Sequence, residues 1–215
     1  MRDLVIGDIH GYSTALESVL AVVKPDKNDR ITFLGDYIDR GPDSCKVLDI
    51  LMRLGKRTTT RFLQGNHERF LLTSIADPSM ESTWTKYGGA SSLKSFAVKH
   101  AAEVPRSYLQ FLEGHPLWIE DENFIFVHAG VNPRKPMERQ TEEDLLWTHL
   151  KVPPWHYSGK TVVCGHTYVE RPVLTAKCCQ IDTGIARGGW LTCVNLNDYS
   201  FVQADAKGTA RESRA

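Results

Sequence analysis

Three short apolar runs near the start of the chain each end on a glycine followed at once by a polar residue, and each then gives way to a helical pattern. Residues 4–6 lead into Gly7, Asp8, Ile9, His10, Gly11; residues 31–34 lead into Gly35, Asp36, Tyr37, Ile38, Asp39, Arg40, Gly41; residues 61–64 lead into Gly65, Asn66, His67, Glu68. After the first, Ala15, Leu16, Val19, Leu20 and Val23 recur at helical spacing and stop before Pro25. After the second, Pro42 opens a helix carrying Val47, Leu48, Leu51 and Leu54 to a stop at Gly55, and a third helix is expected from about His67 to Ala76. This βαβαβα order predicts parallel strands with crossover helices. In such sheets ligands gather beyond the carboxyl ends of the strands, so the three polar motifs converge on one rim.

The second half is richer in strands. Residues 123–127 deliver His128, residues 161–164 deliver His166, and further strands are expected at 173–175, 178–181, 190–196 and 199–203. Mostly antiparallel strands there predict a second sheet stacked on the first. The fold class is thus α/β, with two packed mixed β-sheets flanked by helices. Between Asp77 and Glu113 the pattern is helical but irregular, with Trp84, Tyr87, Gly88 and Gly89 on a loop that either caps the rim or buries its aromatics. No linker composition divides the chain, so residues 1–206 are expected to form a single catalytic domain, and the polar residues 207–215 a frayed tail.

Composition narrows the classes. With 41% hydrophobic and 24% charged residues the chain can bury a core able to hold a polar site. Lysine and arginine together equal aspartate and glutamate at 26 each, which gives no basic footprint for a nucleic acid polymer or an anionic membrane. Only three apolar residues precede Gly7, too few for a signal peptide, and no stretch approaches the ~20 needed to span a bilayer. The five cysteines lack zinc-ligand spacing, and adjacent Cys178 and Cys179 read as small buried hydrophobes, so a reduced, cytoplasmic protein is expected.

The polar motifs supply donors for two divalent metal ions. Asp8 and His10 point from one loop toward a first ion, Asp36 is suited to bridge both, and Asn66, His128 and His166 remain for the second. Nitrogen and oxygen donors without thiolate favour manganese, iron or zinc, with manganese the leading expectation. A hydroxide shared by two such ions would attack phosphorus in line. Arg40 offers a planar fork for phosphoryl oxygens, with Asn66 beside it. His67, adjacent to a ligand without being needed as one, is the candidate general acid, and Asp39 the carboxylate that orients it. A lone His128 or His166 would more often be a packed histidine; five such motifs in one order are not expected by chance.

From residue 4 to 196 these motifs resemble the metal-dependent phosphoprotein phosphatases, the PPP group, and in particular their compact bacterial and phage serine/threonine members. Residues 181–184, Ile-Asp-Thr-Gly, also resemble that family's late strand and turn. The resemblance implies the calcineurin-like metallophosphoesterase four-layer sandwich, phosphomonoesterase activity and a phosphorylated protein or peptide substrate, and leaves the oligomeric state open. Diadenosine tetraphosphate hydrolases of the same family are the rivals. They typically carry alanine in place of Asp39 and aspartate in place of Glu68, so both positions favour the protein phosphatases, whereas residues 188–203 resemble the end of the dinucleotide enzymes. Protein phosphatases usually add a second phosphate-binding arginine between the last two histidine ligands. Here that segment reads Leu146, Trp147, Thr148, His149, and Arg134 and Arg139 do not align. His149 is either a partial substitute in phosphate binding or a surface histidine on a helix capped by Thr141. A catalytically weak phosphate-binding scaffold is a further alternative, disfavoured by the filled ligand positions.

Overall fold

In the computed structural model, which describes residues 1–214, the first half follows the expected order: β1 (Asp3–Ile6), α1 (Ser13–Val23), β2 (Arg30–Phe33), α2 (Ser44–Leu54), β3 (Thr59–Phe62) and α3 (Asn66–Ala76). β1, β2 and β3 are parallel neighbours, with Ile6 beside Phe33 and Phe33 beside Phe62. Then come α4 (Glu81–Trp84), α5 (Ala90–Phe96), α6 (Arg106–Glu113), β4 (Trp118–Glu120), β5 (Phe124–Val127), β6 (Thr161–Cys164), β7 (Val173–Leu174), β8 (Cys178–Gln180), β9 (Leu191–Asn195), β10 (Ser200–Ala204) and β11 (Ala210–Arg214). One sheet has the order β11-β10-β9-β1-β2-β3 and the other β4-β5-β6-β8-β7. The two mixed sheets flanked by helices are those the sequence predicts.

The strands read as continuous apolar runs because both faces are covered. Leu4, Ile6, Ile31 and Phe33 pack outward against Leu16, Val19, Val47, Leu48 and Leu51 of α1 and α2. Val5, Leu34 and Leu63 point inward and meet Phe126, Val163 and Cys179 of the other sheet. On that sheet's far side Ile125, Val127, Val162 and Cys164 are covered by Val131, Met137 and Leu145. Cys178 and Cys179 are buried free thiols, and burial raises the Cys179 thiol above its ordinary range. No helix among the described residues is long and apolar enough to cross a membrane.

Two expectations are corrected. Strands β9 and β10 do not belong to the second sheet: β9 runs antiparallel along the free edge of β1, with Leu191 and Cys193 completing the core under the helices. The second sheet is instead centred on parallel β5, β6 and β8. The tail is also not frayed as expected, since residues 210–214 pair antiparallel with β10. Its polarity suits an edge strand. Arg211 donates to Gln203 Oε1 at 3.0 and 2.8 Å and lies 3.9 Å over the Trp190 ring, so a charged residue anchors the segment.

His115, just after α6, stacks on Phe62 with ring centroids 5.2 Å apart and meets Phe111 and Tyr37 edge-on. Its Nδ1 is buried without a hydrogen-bond partner among the described residues, and burial lowers the imidazole to about 4. Unfolded, the same group takes up its proton near 6.5. Stability is therefore undiminished above about pH 6.5 and falls between there and pH 4, by on the order of 3 kcal/mol from this residue. Urea unfolding at pH 8 and pH 5 is expected to show a smaller acid loss in His115→Leu than in the wild type; equal losses would refute the assignment.

Candidate metal centre and active site

The ends of β1, β2, β3, β5 and β6 place Asp8, Asp36, Asn66, His128 and His166 around one floor. The loops that do this are bent in an unusual way. His10, Asp36, Asp39, Arg40 and His166 have φ of 48°, 51°, 72°, 68° and 59°, five of the eight non-glycine residues with positive φ among the described residues. Side-chain-bearing residues enter this left-handed region at a cost, and tertiary contacts must hold them there.

Glu68 provides the central contact. Its buried carboxylate accepts the N–H groups of Asp36 (2.8 Å), Tyr37 (2.8 Å), Ile38 (3.3 Å) and Gly65 (2.9 Å), tying the β2 and β3 loops together. Burial and the neighbouring Asp36 push this carboxyl up to about 8. Asp36 in turn accepts the His67 N–H on Oδ1 at 3.0 Å. Tyr37 is fully buried and donates its hydroxyl to Leu63 O at 2.5 Å.

Two groups of donor atoms result. His10, Asp36 and His67 offer atoms all within 4.8 Å of one another, as do Asp36, His128 and His166, with Asp36 common to both. His10 Nδ1–H donates to Ile38 O at 3.2 Å and His128 Nδ1–H to Leu34 O at 2.9 Å, which turns each Nε2 lone pair toward the centre. Asn66 Oδ1 lies 2.8 Å from His128 Nε2 and 3.1 Å from His166 Nδ1. Asp8 joins the floor differently. It stands outside both groups, accepts the His166 N–H at 3.2 and 3.1 Å, and abuts Gly165, where a Cβ would come within 2.1 Å of Oδ1.

The electrostatics fit divalent cations. Burial, with Asp182 and Asp36 nearby, raises Asp8 well above the usual carboxylate range. Asp182, from the Ile-Asp-Thr-Gly turn, is raised by burial and by Asp36. Burial drives His10 far below an ordinary imidazole and, with His128, brings His166 to about 3. His166 Nε2 is also buried without a partner. The neutral His10 and His166 imidazoles and the Asp8 carboxyl, short of positive charge, are what a divalent metal with nitrogen and oxygen ligands uses, while the surrounding histidines outweigh burial and hold Asp36 below the usual carboxylate range.

The expected pair of Asp39 and His67 is present. His67 Nδ1–H donates to Asp39 Oδ2 at 2.8 Å, and its Nε2 faces the centre, 4.0 Å from Asp36 Oδ2. Burial alone would lower the His67 imidazole, but Asp36 and Asp39 outweigh it and raise it above 6.5. Two residues outside the motifs hold Asp39: Trp84 Nε1–H donates to Oδ2 at 2.8 Å and the Ser92 hydroxyl to Oδ1 at 2.6 Å. The segment expected to be a loop is helical instead: Trp84 closes α4 and packs in the core, and Tyr87, in the wide turn Thr85–Gly89, is exposed. Only a folded structure brings Trp84 and Ser92 to Asp39, since no spacing links them.

Arg40 is exposed, its NH1 2.9 Å from His10 Nε2 and its backbone N–H held by Gly88 O at 3.2 Å. A cavity of about 420 Å³ opens from this point. It is lined by Asp36, Asn66, His67 and His166, by the ring cluster of Phe70, Tyr87 and Trp147 with Met80 as an aromatic wall, and by Asp182 and Arg187. His149 also lines it, exposed, and stacks on His166, centroids 4.5 Å apart; it lies two residues beyond the helical turn that Thr141 caps. The segment ahead of it is a single wide helical turn over Glu143–Trp147, and Thr141, just before it, caps it: the Thr141 Oγ1 accepts the Asp144 N–H and Asp144 Oδ2 accepts the Thr141 N–H, each at 3.1 Å. Arg69, near the floor in sequence, is taken by Glu142.

Fold and donor set together define a metal-binding hydrolase built on two mixed sheets. Residues 1–178 match the calcineurin-like phosphoesterases, and the chain belongs to that family of metallophosphoesterases. It is 27% identical over 239 residues to the asymmetrical bis(5'-nucleosyl)-tetraphosphatase PrpE of Oceanobacillus iheyensis, covering 96% of this chain and 93% of that protein. A crystal structure assigned as a diadenosine tetraphosphatase superposes with TM-score 0.74 and 23% identity, over 99% of this chain and 93% of the other. A cold-active protein tyrosine phosphatase superposes with TM-score 0.68 at 14% identity, over 98% and 78%. At such identities these two structures speak to the fold.

Removing the Glu68 carboxylate leaves four buried N–H groups without their acceptor. Glu68→Ala is expected to lower unfolding free energy by about 3 kcal/mol or more and to weaken metal uptake, measured by urea titration and by calorimetry with manganese. A variant that keeps wild-type stability and metal affinity would refute the pinning role.

Proposed function

We propose that this chain is a metal-dependent hydrolase of dinucleoside polyphosphates, of the diadenosine tetraphosphate type. The phosphoprotein substrate favoured by the sequence becomes the second reading. The observation that carries the proposal is the cavity, which joins the candidate metal ligands and Arg40 directly to an aromatic wall. Phe70 sits at its centre, 5.9 Å from Tyr87 and 6.2 Å from Trp147 between ring centroids. Stacking on such rings contributes roughly 1–3 kcal/mol per nucleobase. A nucleoside at the end of a phosphate chain fits a site that is cationic at one end and aromatic at the other. The similarity to PrpE over nearly the whole of both chains supports the same reading.

Asp8, His10, Asp36, Asn66, His128 and His166 would hold two divalent ions, which supply an activated water and neutralise phosphoryl charge when bound. The chain's own residues do the rest. Arg40 orients the phosphoryl group under attack through its planar fork, with the Asn66 amide and the His149 ring beside it. His67, oriented by its Nδ1–H bond to Asp39, donates from Nε2 to the leaving oxygen, and Asp39 cannot drift because Trp84 and Ser92 hold both its oxygens. The aromatic wall keeps water from one side of the site. The filled donor positions and the held His67 speak against a catalytically inert scaffold.

The second reading rests on the same Asp39 and His67 pair. A serine alkoxide is a far stronger base than a departing nucleotide phosphate, so a well-held acid matters more for a phosphoprotein. The two readings therefore differ in a measurable way. With manganese restored to metal-stripped protein, kcat/KM for diadenosine tetraphosphate is expected to exceed that for a phosphoserine peptide; the reverse order would return the assignment to the protein phosphatases. His67→Asn is expected to depress peptide turnover by a larger factor than dinucleotide turnover, both followed by steady-state kinetics. Tyr87→Ala is expected to raise KM for the dinucleotide severalfold and to leave kcat nearly unchanged, since the lost stacking is shared by ground and transition states.

A further inference from the structure

The second arginine lining the cavity is engaged by no carboxylate among the described residues. Arg187 ends a short turn (Ile185–Arg187) between β8 and β9, and among the described residues its guanidinium makes no ion pair. The turn is nonetheless rigid. Gly184 N–H donates to Asp182 Oδ1 at 2.9 Å, Arg187 N–H to Gly184 O at 2.8 Å, and Gly189 N–H to Gly184 O at 2.9 Å. Ile185 is buried in the core, and the Thr183 hydroxyl lies 2.6 Å from Trp190 O. Gly184, at φ 74°, sits so close to the Tyr168 ring that a Cβ would come within 2.6 Å of it. The Arg187 guanidinium lies 5.7 Å from the centroid of that same ring. The fold therefore fixes the base of this side chain and sets its head near an aromatic face, while the residue itself is exposed and lines the cavity.

Arg40 and Arg187 stand on different elements of one cavity, Arg40 in the loop after β2 and Arg187 in the turn before β9. A single phosphoryl group at the metal ligands can use Arg40; it leaves the donors of a second planar cation unused. A chain of phosphates carries further anionic oxygens away from the reacting centre, and arginine binds these bidentately. We propose that Arg187 is a substrate-binding residue that holds the non-reacting phosphates of a polyphosphate chain, and so selects polyphosphate over monoester substrates. This rests on the dinucleoside polyphosphate reading, with a test that separates the two.

Wild type and Arg187→Ala are compared, metal-loaded, on diadenosine tetraphosphate and on p-nitrophenyl phosphate. Charged hydrogen bonds of about 1.5–3 kcal/mol correspond to a ~10- to 100-fold loss in kcat/KM for the dinucleotide. The p-nitrophenyl phosphate value is expected to change less than about threefold on the same scale, and Arg187→Lys to recover part of the dinucleotide loss. Equal losses on both substrates, or none, would overturn the assignment. In parallel, orthophosphate and tripolyphosphate are titrated as inhibitors of p-nitrophenyl phosphate hydrolysis, with metal in excess. Arg187→Ala is expected to weaken tripolyphosphate at least tenfold and leave orthophosphate unchanged. This arm judges Arg187 even if the wild type prefers a phosphopeptide, an outcome that sinks the substrate reading alone. Unchanged tripolyphosphate inhibition sinks the arginine's role whatever the substrate.

Discussion

The site depends on one buried carboxylate. Glu68 gathers four backbone N–H groups from two loops that the chain separates by some thirty residues, and every donor around Asp36 is placed relative to those loops. A backbone amide is a poor place to store position, because it is free to find water when its loop moves. Tying four of them to one acceptor in a dry interior makes the ends of β2 and β3 a single body. The first turn of α3 is part of that body, so Asn66 and His67 move with Asp36 or do not move at all.

The same logic continues outward. His10 and His128 have their Nδ1–H groups bonded to carbonyl oxygens of the β2 end, at Ile38 and Leu34, so the strand that carries Asp36 also sets the angle of two rings from elsewhere in the chain. Asp39 is fixed from the opposite side, by Trp84 and Ser92 in the segment that follows α3. The side chains of the candidate site are thus aimed by elements that contribute no donor to it, as expected of a site whose geometry must be held without a ligand's help.

Much of this was legible in the sequence because it is local. The strand-glycine-polar motifs announced Asp8, Asp36 and Asn66, and the helical spacing of Leu16, Val19, Val47 and Leu48 announced the helices covering the first sheet. What escaped was long-range. Nothing in residues 190–203 says that β9 pairs with β1 rather than with β8, since an antiparallel strand with two buried faces suits either sheet. The last strand was hidden by its polarity, which edge strands tolerate and tails share; the contact of Arg211 with Trp190 and Gln203 distinguishes them only once the chain is folded. The Ile-Asp-Thr-Gly turn was visible as a motif, but not that Asp182 would stand beside the site, and Arg187, just past it, escaped because nothing in the local pattern brings it to the cavity.

The left-handed backbone of His10, Asp36, Asp39, Arg40 and His166 has a further consequence. At each of these positions glycine would relax the chain locally, so the conformation itself favours losing the side chain. Selection for thermal endurance alone would drift toward discarding these five groups, and selection for whatever the site does must continually oppose it. The loops at the strand ends are therefore where a hardier version of this protein and a more competent one part company.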